Sequence, residues 1–192
     1  EYKGNNTDNL PLLIGGTDQL ELTTPSAEWA YLSNITYKVL ERGKDAEGND
    51  RLVLSYDDSS VSVRRTYVTN PKIFSLYHDI SFQFKKTPPA YLFVGLKANI
   101  DIPKEHAENE RREIYFNRTG GQEKWTSTDI KEVKEDLGEG NWLSISSRYF
   151  VNALVDRGST VKPQFQARPL GNGEYVANLI YKAGTPTVQL PL

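Results

Sequence analysis

The chain of 192 residues contains no cysteine and no methionine, and only two histidines. Without cysteine there is neither a disulfide framework nor a thiolate metal site, and two imidazoles leave little for a histidine-based one. No metal and no cofactor is therefore expected. An excess of either charge is missing as well, since 23 basic residues face 25 acidic ones for a net charge of −2. Nucleic-acid phosphates call for a clustered basic surface, so no nucleic-acid partner is expected. Apolar runs such as Tyr149 to Val155 fall far short of the ~20 residues that cross a bilayer. No P-loop, dinucleotide fingerprint or Ser, His and Asp set occurs. The chain begins at Glu1 with no charged-then-apolar leader, from which a processed protein or, by preference, an excised piece of a longer one is expected.

What is present is a period of two with turn signals about every ten residues, the pattern of an antiparallel sandwich. From Phe74 to Phe84, the side chains of Phe74, Leu76, His78, Ile80, Phe82 and Phe84 share one face. Leu92, Val94, Leu96, Ala98, Ile100 and Ile102 repeat the pattern, and a turn at Lys85 to Pro89 predicts that the two segments pair as a hairpin. Turn residues place three more hairpins: Ile35–Leu40 with Arg51–Tyr56, Glu113–Arg118 with Gln122–Thr126, and Gln164–Arg168 with Tyr175–Lys182. Asp57, Asp58 and Ser59 mark a fourth turn. The count is roughly ten to twelve strands, more than a seven-strand sandwich needs. Pro103 to Arg112 reads as a solvated loop or one helical turn, and Ile130 to Leu137 as either a short helix or a strand. With no repeat or linker, residues 1–192 are expected to form one domain.

Each candidate for chemistry has a bland counterpart. His78 lies on an apolar face, where a satisfied, partly buried histidine outweighs a catalytic one, and His106 lies in a charged loop. Asp57 and Asp58 occupy a turn, where aspartate serves the backbone, and the run Lys44 to Asp50 lacks the alternating ligand series and terminal Glu of a calcium loop. The Asn-x-Thr sequons at Asn5, Asn34 and Asn117 matter only in a eukaryotic secretory setting. Partner-binding candidates are Arg111, Arg112 and Trp125 in the polar stretch Lys97 to Asn141, because Trp and Arg are the residue types enriched at binding hot spots. The core contribution of that stretch is expected to be small.

One segment is unusual. Gly140, Trp142, Leu143, Ile145, Arg148, Tyr149, Phe150, Ala153 and Leu154 lie in an aromatic-rich stretch that resembles the signature of the large periplasmic domain of the bacterial membrane protein insertase YidC. The order of surrounding features is similar too: an N-terminal Leu-Pro-Leu-Leu, the Arg65-Thr66-Tyr67 strand, the Ile73 to Phe84 strand, and Tyr175 to Tyr181 before a Pro-containing tail. The resemblance implies a large antiparallel β-supersandwich of the galactose mutarotase-like type with little helix, on the periplasmic side of the Gram-negative inner membrane. It implies a non-catalytic accessory domain that assists insertion through Sec translocon accessory subunits or nascent membrane proteins, and the isolated domain is expected to be monomeric. The family's insertion machinery would lie beyond Leu192. The alternative that the fold relationship raises is a carbohydrate-binding or mutarotase-like sandwich, and a secreted adhesion module is the third. Mutarotation needs an acid and a base converging on the sugar, and the positions of the two histidines speak against it.

Overall fold

The computed structural model describes residues 2–3, 9–10, 20–70, 75–97, 112–126, 130–146, 151–171 and 174–192. In chain order the strands are β1 (Tyr2–Lys3), β2 (Asn9–Leu10), β3 (Leu20–Thr23), β4 (Lys38–Lys44), β5 (Asp50–Asp57), β6 (Val61–Asn70), β7 (Ser75–Phe84) and β8 (Tyr91–Lys97). They continue with β9 (Glu113–Arg118), β10 (Gly121–Thr126), β11 (Lys134–Asp136), β12 (Trp142–Ser146), β13 (Val151–Val155), β14 (Gln164–Gly171), β15 (Glu174–Lys182) and β16 (Thr187–Pro191). Among the described residues the helix is a single 3-10 stretch, Ala27–Asn34. The expected all-β antiparallel class with little helix is what the chain adopts, and strand orders are β10-β9-β12-β13, β11-β14-β15-β8-β3 and β16-β7-β6-β5-β4, beside the small β1-β2 pair.

The chain divides into two compact units. The first comprises Glu1–Leu22, Phe93–Leu154 and Gln164–Ile180. Here the β9 and β14 sheets meet through the rings of Phe116 and Phe165, 4.7 Å apart. β15 is the central element: from Tyr175 to Ile180 every side chain is buried, so the strand reads as a continuous apolar run instead of an alternation. Its one amide, Asn178, donates to Gln166 Oε1 at 3.0 Å, and Gln166 Nε2 donates to Glu135 at 2.8 Å. These bonds offset the desolvation of two buried amides.

The second unit comprises Thr23–Leu92, Val155–Pro163 and Tyr181–Leu192. Its sheet sets Val61 opposite Phe84 and Val63 opposite Phe82, with Leu190 opposite Ile80, and all six are buried. The helix closes over this row: Trp29 and Leu32, three apart, are buried, and Trp29 meets Phe84 edge-on at 5.1 Å. The inward face expected for His78, Ile80, Phe82 and Phe84 is the one observed, but Leu76 is 52% exposed. It pairs with Thr69, beyond the last covered row, so alternation continues where burial stops.

The hairpin expected between the segments on either side of Lys85–Pro89 does not form. β7 lies between β6 and β16, while β8 lies between β15 and β3 in another sheet. Pro88 and Pro89 supply no N–H donors and hold the backbone extended, and the chain leaves the sheet with Phe84 N–H donating to Pro186 and Lys85 N–H to Ser60. The other turns are where expected. β4 and β5 pair from Lys44↔Asp50 outward, a few residues closer to the turn than Ile35–Leu40. Asp45 Oδ1 accepts from the N–H groups of Glu47 and Asn49, both at 2.9 Å, and Gly48 takes the left-handed φ of +85°. Of Ile130 to Leu137, only Lys134–Asp136 forms a strand, β11, and there is no helix there. Pro103 to Arg111, including His106, lies outside the described residues.

Candidate functional sites

The β9–β10 hairpin carries the residues expected to meet a partner. Ile114 pairs with Trp125 and Glu113 with Thr126, which places Arg112, the residue before β9, at the same end of the hairpin as Trp125. Both are half-buried, and Arg111 lies outside the described residues. Trp125 is not isolated: its ring rests on Phe116 with centroids 4.5 Å apart. With Ile114 and Phe116 each 1% exposed and Ile130 at 6%, the stretch contributes to the core, contrary to the expectation. Its polar positions are what drew the opposite reading. Arg112 also acts inward, since its charge lowers the Tyr175 hydroxyl pKa against the larger upward push of burial.

The signature segment forms β12 and β13, neighbours in the β9 sheet. Gly140 lies where a Cβ would stand 1.8 Å from the Asn117 carbonyl oxygen and 2.5 Å from the Phe165 ring, so the position requires glycine for close approach. Asn117 Oδ1 accepts from the N–H groups of Asn141 and Trp142 at 2.9 and 3.0 Å, and Asn117 Nδ2 donates to Asn141 at 2.6 Å. The sequon asparagine is thus a fixed part of the strand junction. Leu143 and Ile145 are buried and Trp142 half-buried; Arg148 to Phe150 lie outside the described residues.

The second unit holds the described histidine. His78 is 3% exposed and stacks on Tyr67 at 4.2 Å. Arg65 Nε donates to His78 Nε2 at 3.0 Å, which makes Nε2 the acceptor and leaves the ring proton on Nδ1. The guanidinium also lies over the rings of Tyr37 and Tyr67, at 5.3 and 5.5 Å. Burial, with the Arg65 charge added, depresses the His78 pKa from 6.5 to about 3. A base so weak stays neutral across the physiological range, and its neighbour is a cation where proton transfer would want a carboxylate.

The acidic turn residues are engaged locally. Asp58 Oδ1 accepts from the N–H groups of Ser60 and Val61 at 2.6 and 2.8 Å, and Asp57 accepts from Lys85 Nζ at 2.8 Å. Asp156, Ser159 and Tyr181 form a buried polar cluster. Asp156 Oδ1 accepts from Gly158 and Ser159 N–H at 2.9 and 2.7 Å, with Lys162 Nζ 3.7 Å from Oδ2. Burial, reinforced by the Asp156 charge, pushes the Tyr181 hydroxyl pKa far up. A cavity of about 180 Å³ adjoins, lined among others by Ser159, Tyr181, Lys182 and Gln189. Asp156 Oδ2 and the Tyr181 hydroxyl are sealed from solvent, and the bonds that Asp156 Oδ1 accepts fasten the turn at Gly158 and Ser159. Among the described residues no group of three potential ligands stands together to hold a metal, and no helix is long and apolar enough to cross a membrane.

The fold and these sites define the class: an all-β antiparallel sandwich domain. The model of the YidC periplasmic domain family matches residues 13–189, and the chain belongs to that family. Among solved structures, the galactosidase domain of the alpha-galactosidase-sucrose kinase AgaSK is similar with a TM-score of 0.46 at 8% identity. That alignment covers 91% of this chain, which spans 26% of the other. A galactose mutarotase related enzyme from Lactobacillus acidophilus is similar with a TM-score of 0.46 at 12% identity, covering 84% of this chain and 71% of that one. No curated protein matches.

Proposed function

We propose that this chain is a non-catalytic accessory domain of a membrane protein insertase, held at the periplasmic face of the Gram-negative inner membrane, where it assists insertion and folding by contacting Sec translocon accessory subunits or nascent membrane proteins. The observation that carries the reading is the family match over residues 13–189. The neutral, arginine-bound His78 and the turn-bound Asp57 and Asp58 support the absence of catalysis, and no mutarotase activity is expected. Arg111, Arg112 and Trp125 are the proposed contact residues, since Trp and Arg are the residue types enriched at hot spots.

The test is crosslinking of the full-length insertase to the Sec accessory subunits after exchanging Arg111, Arg112 and Trp125 for alanine. Because Trp125 packs on Phe116, a variant exchanging the arginines alone runs beside it, and each melting transition is measured. Crosslinking should fall in both folded variants; undiminished crosslinking in both would remove this surface.

A further inference from the structure

β4 is the last strand of its sheet, paired through β5 on one side, and all seven of its residues are exposed. Among the described residues nothing pairs with its outer edge, which leaves a row of N–H and C=O groups in the arrangement that accepts another strand. Two neighbouring apolar side chains, Val39 at 63% and Leu40 at 59% exposure, stand on this edge. They sit at a bulge, the ladder shifting between Val39 and Glu41. Bulges and charges commonly guard edges against aggregation, but a pure guard would not place two adjacent exposed aliphatics there.

The charges give the edge a sign. Glu41 is paired with Arg51, and Lys44 with Asp50 at 2.9 Å. Among the described residues Lys38 and Arg42 have no acidic partner, so the edge presents two uncompensated cations beside two aliphatic side chains. A second copy of β4 would bring four such cations onto one ladder with no acid beyond the two Glu41 carboxylates, each already paired with its own Arg51. Complementarity therefore selects an acidic partner, and apolar exposure selects one with aliphatic residues between its acids.

We propose that the β4 edge is a docking site for an extended acidic–aliphatic segment of another protein, which adds to the sheet as a sixth strand beside β4. The site lies in a different unit of the chain from Arg112 and Trp125 and stands whether or not those residues bind Sec components.

The experiment titrates the 192-residue chain with a short blocked peptide of alternating aspartate and valine, and reads amide exchange and shifts by NMR. Alternate amides of Lys38 to Lys44 should gain protection, and a Lys38→Glu/Arg42→Glu variant should bind at least about tenfold more weakly, the equivalent of about 1.4 kcal/mol. Both positions are exposed, so the variant is expected to keep its fold, which its melting transition checks. The proposal is overturned if millimolar peptide leaves these amides unchanged, or if an alternating lysine–valine peptide protects them equally. Protection that appears with protein concentration alone would assign the edge to a second copy, and protection by phosphatidylglycerol vesicles without peptide would assign it to a membrane surface; each of these also overturns it.

Discussion

The β9–β10 and β4–β5 hairpins both end a sheet with a strand largely turned to solvent, yet they treat that strand differently. On β10 each charged side chain is answered from β9: Glu123 by Arg118 at 2.7 Å and Lys124 by Glu113 at 3.0 Å. Trp125 covers Phe116, so this edge strand completes its own core. β4 leaves Val39 and Leu40 uncovered and only part of its charge neutralised. Where an edge strand closes its own sheet, substitutions act on folding; where it leaves apolar and charged groups over, they act on association.

The largest expected contrast follows at once. Phe116→Ala removes a side chain 1% exposed, packed between Trp125 and Phe165, and should cost about 3 to 5 kcal/mol. Leu40→Ala on β4 should stay within about 0.5 kcal/mol. Urea unfolding of both variants measures the difference. A Leu40→Ala loss approaching that of Phe116→Ala would mean β4 is covered in solution and would erase the comparison.

Acid separates the two regions next. Among the described residues the histidine lies in the sheet of β4 and β5, and none lies on β9 or β10. Its folded pKa of about 3 lies below the 6.5 of the unfolded chain. Between those values the unfolded state binds a proton that the folded state does not, so stability is fully present above pH 6.5 and falls as the pH drops, by about 1.4 kcal/mol per pH unit within the window. His78→Gln, which can still accept from Arg65, should flatten the slope by that amount. Parallel pH profiles of the two proteins would show that His78 does not carry it.

Gly140 gives an intermediate effect and shows what the sequence could and could not convey. Gly140→Ala should cost about 1 to 3 kcal/mol because the new methyl meets backbone, while Gly43→Ala on β4, with nothing within 4 Å, should be near neutral by thermal melting; equal losses would contradict the close approach. That Gly140 opens the aromatic-rich signature segment is readable in the sequence, but its contact with Asn117, more than twenty residues away, is not. The same limit explains β7 and β8: a period of two assigns each side chain a face but names no partner strand. Turns were legible because Gly48 and Asp45 act within a few residues. Trp125 stands out as a contact candidate because its neighbours in sequence are polar, although its neighbour in space is Phe116. Lys38, Val39, Leu40 and Arg42 are plain in the sequence, but an edge is a property of the finished sheet. The 3-10 helix had a local signal, Ser26 before Trp29 and Leu32, that alternation elsewhere obscured.

The smallest expected effect tests the claim that β10 is closed by its own charges. Arg118 and Glu123 are each close to half exposed, and Arg118 also lies 3.5 Å from Asp136, so the pair should contribute about 0.2 to 1 kcal/mol in a double-mutant cycle with alanine. Because both groups reach solvent, that coupling should shrink as salt rises and the Debye length falls from ~10 Å at 0.1 M to ~3 Å at 1 M. Lys38 and Arg42 have no such partner among the described residues, and single alanine exchanges there should leave stability within about 0.5 kcal/mol at either salt concentration. A coupling of zero between Arg118 and Glu123 at low salt would leave Trp125 on Phe116 as what distinguishes β10 from β4, and the difference between the two edges would then be one of packing alone.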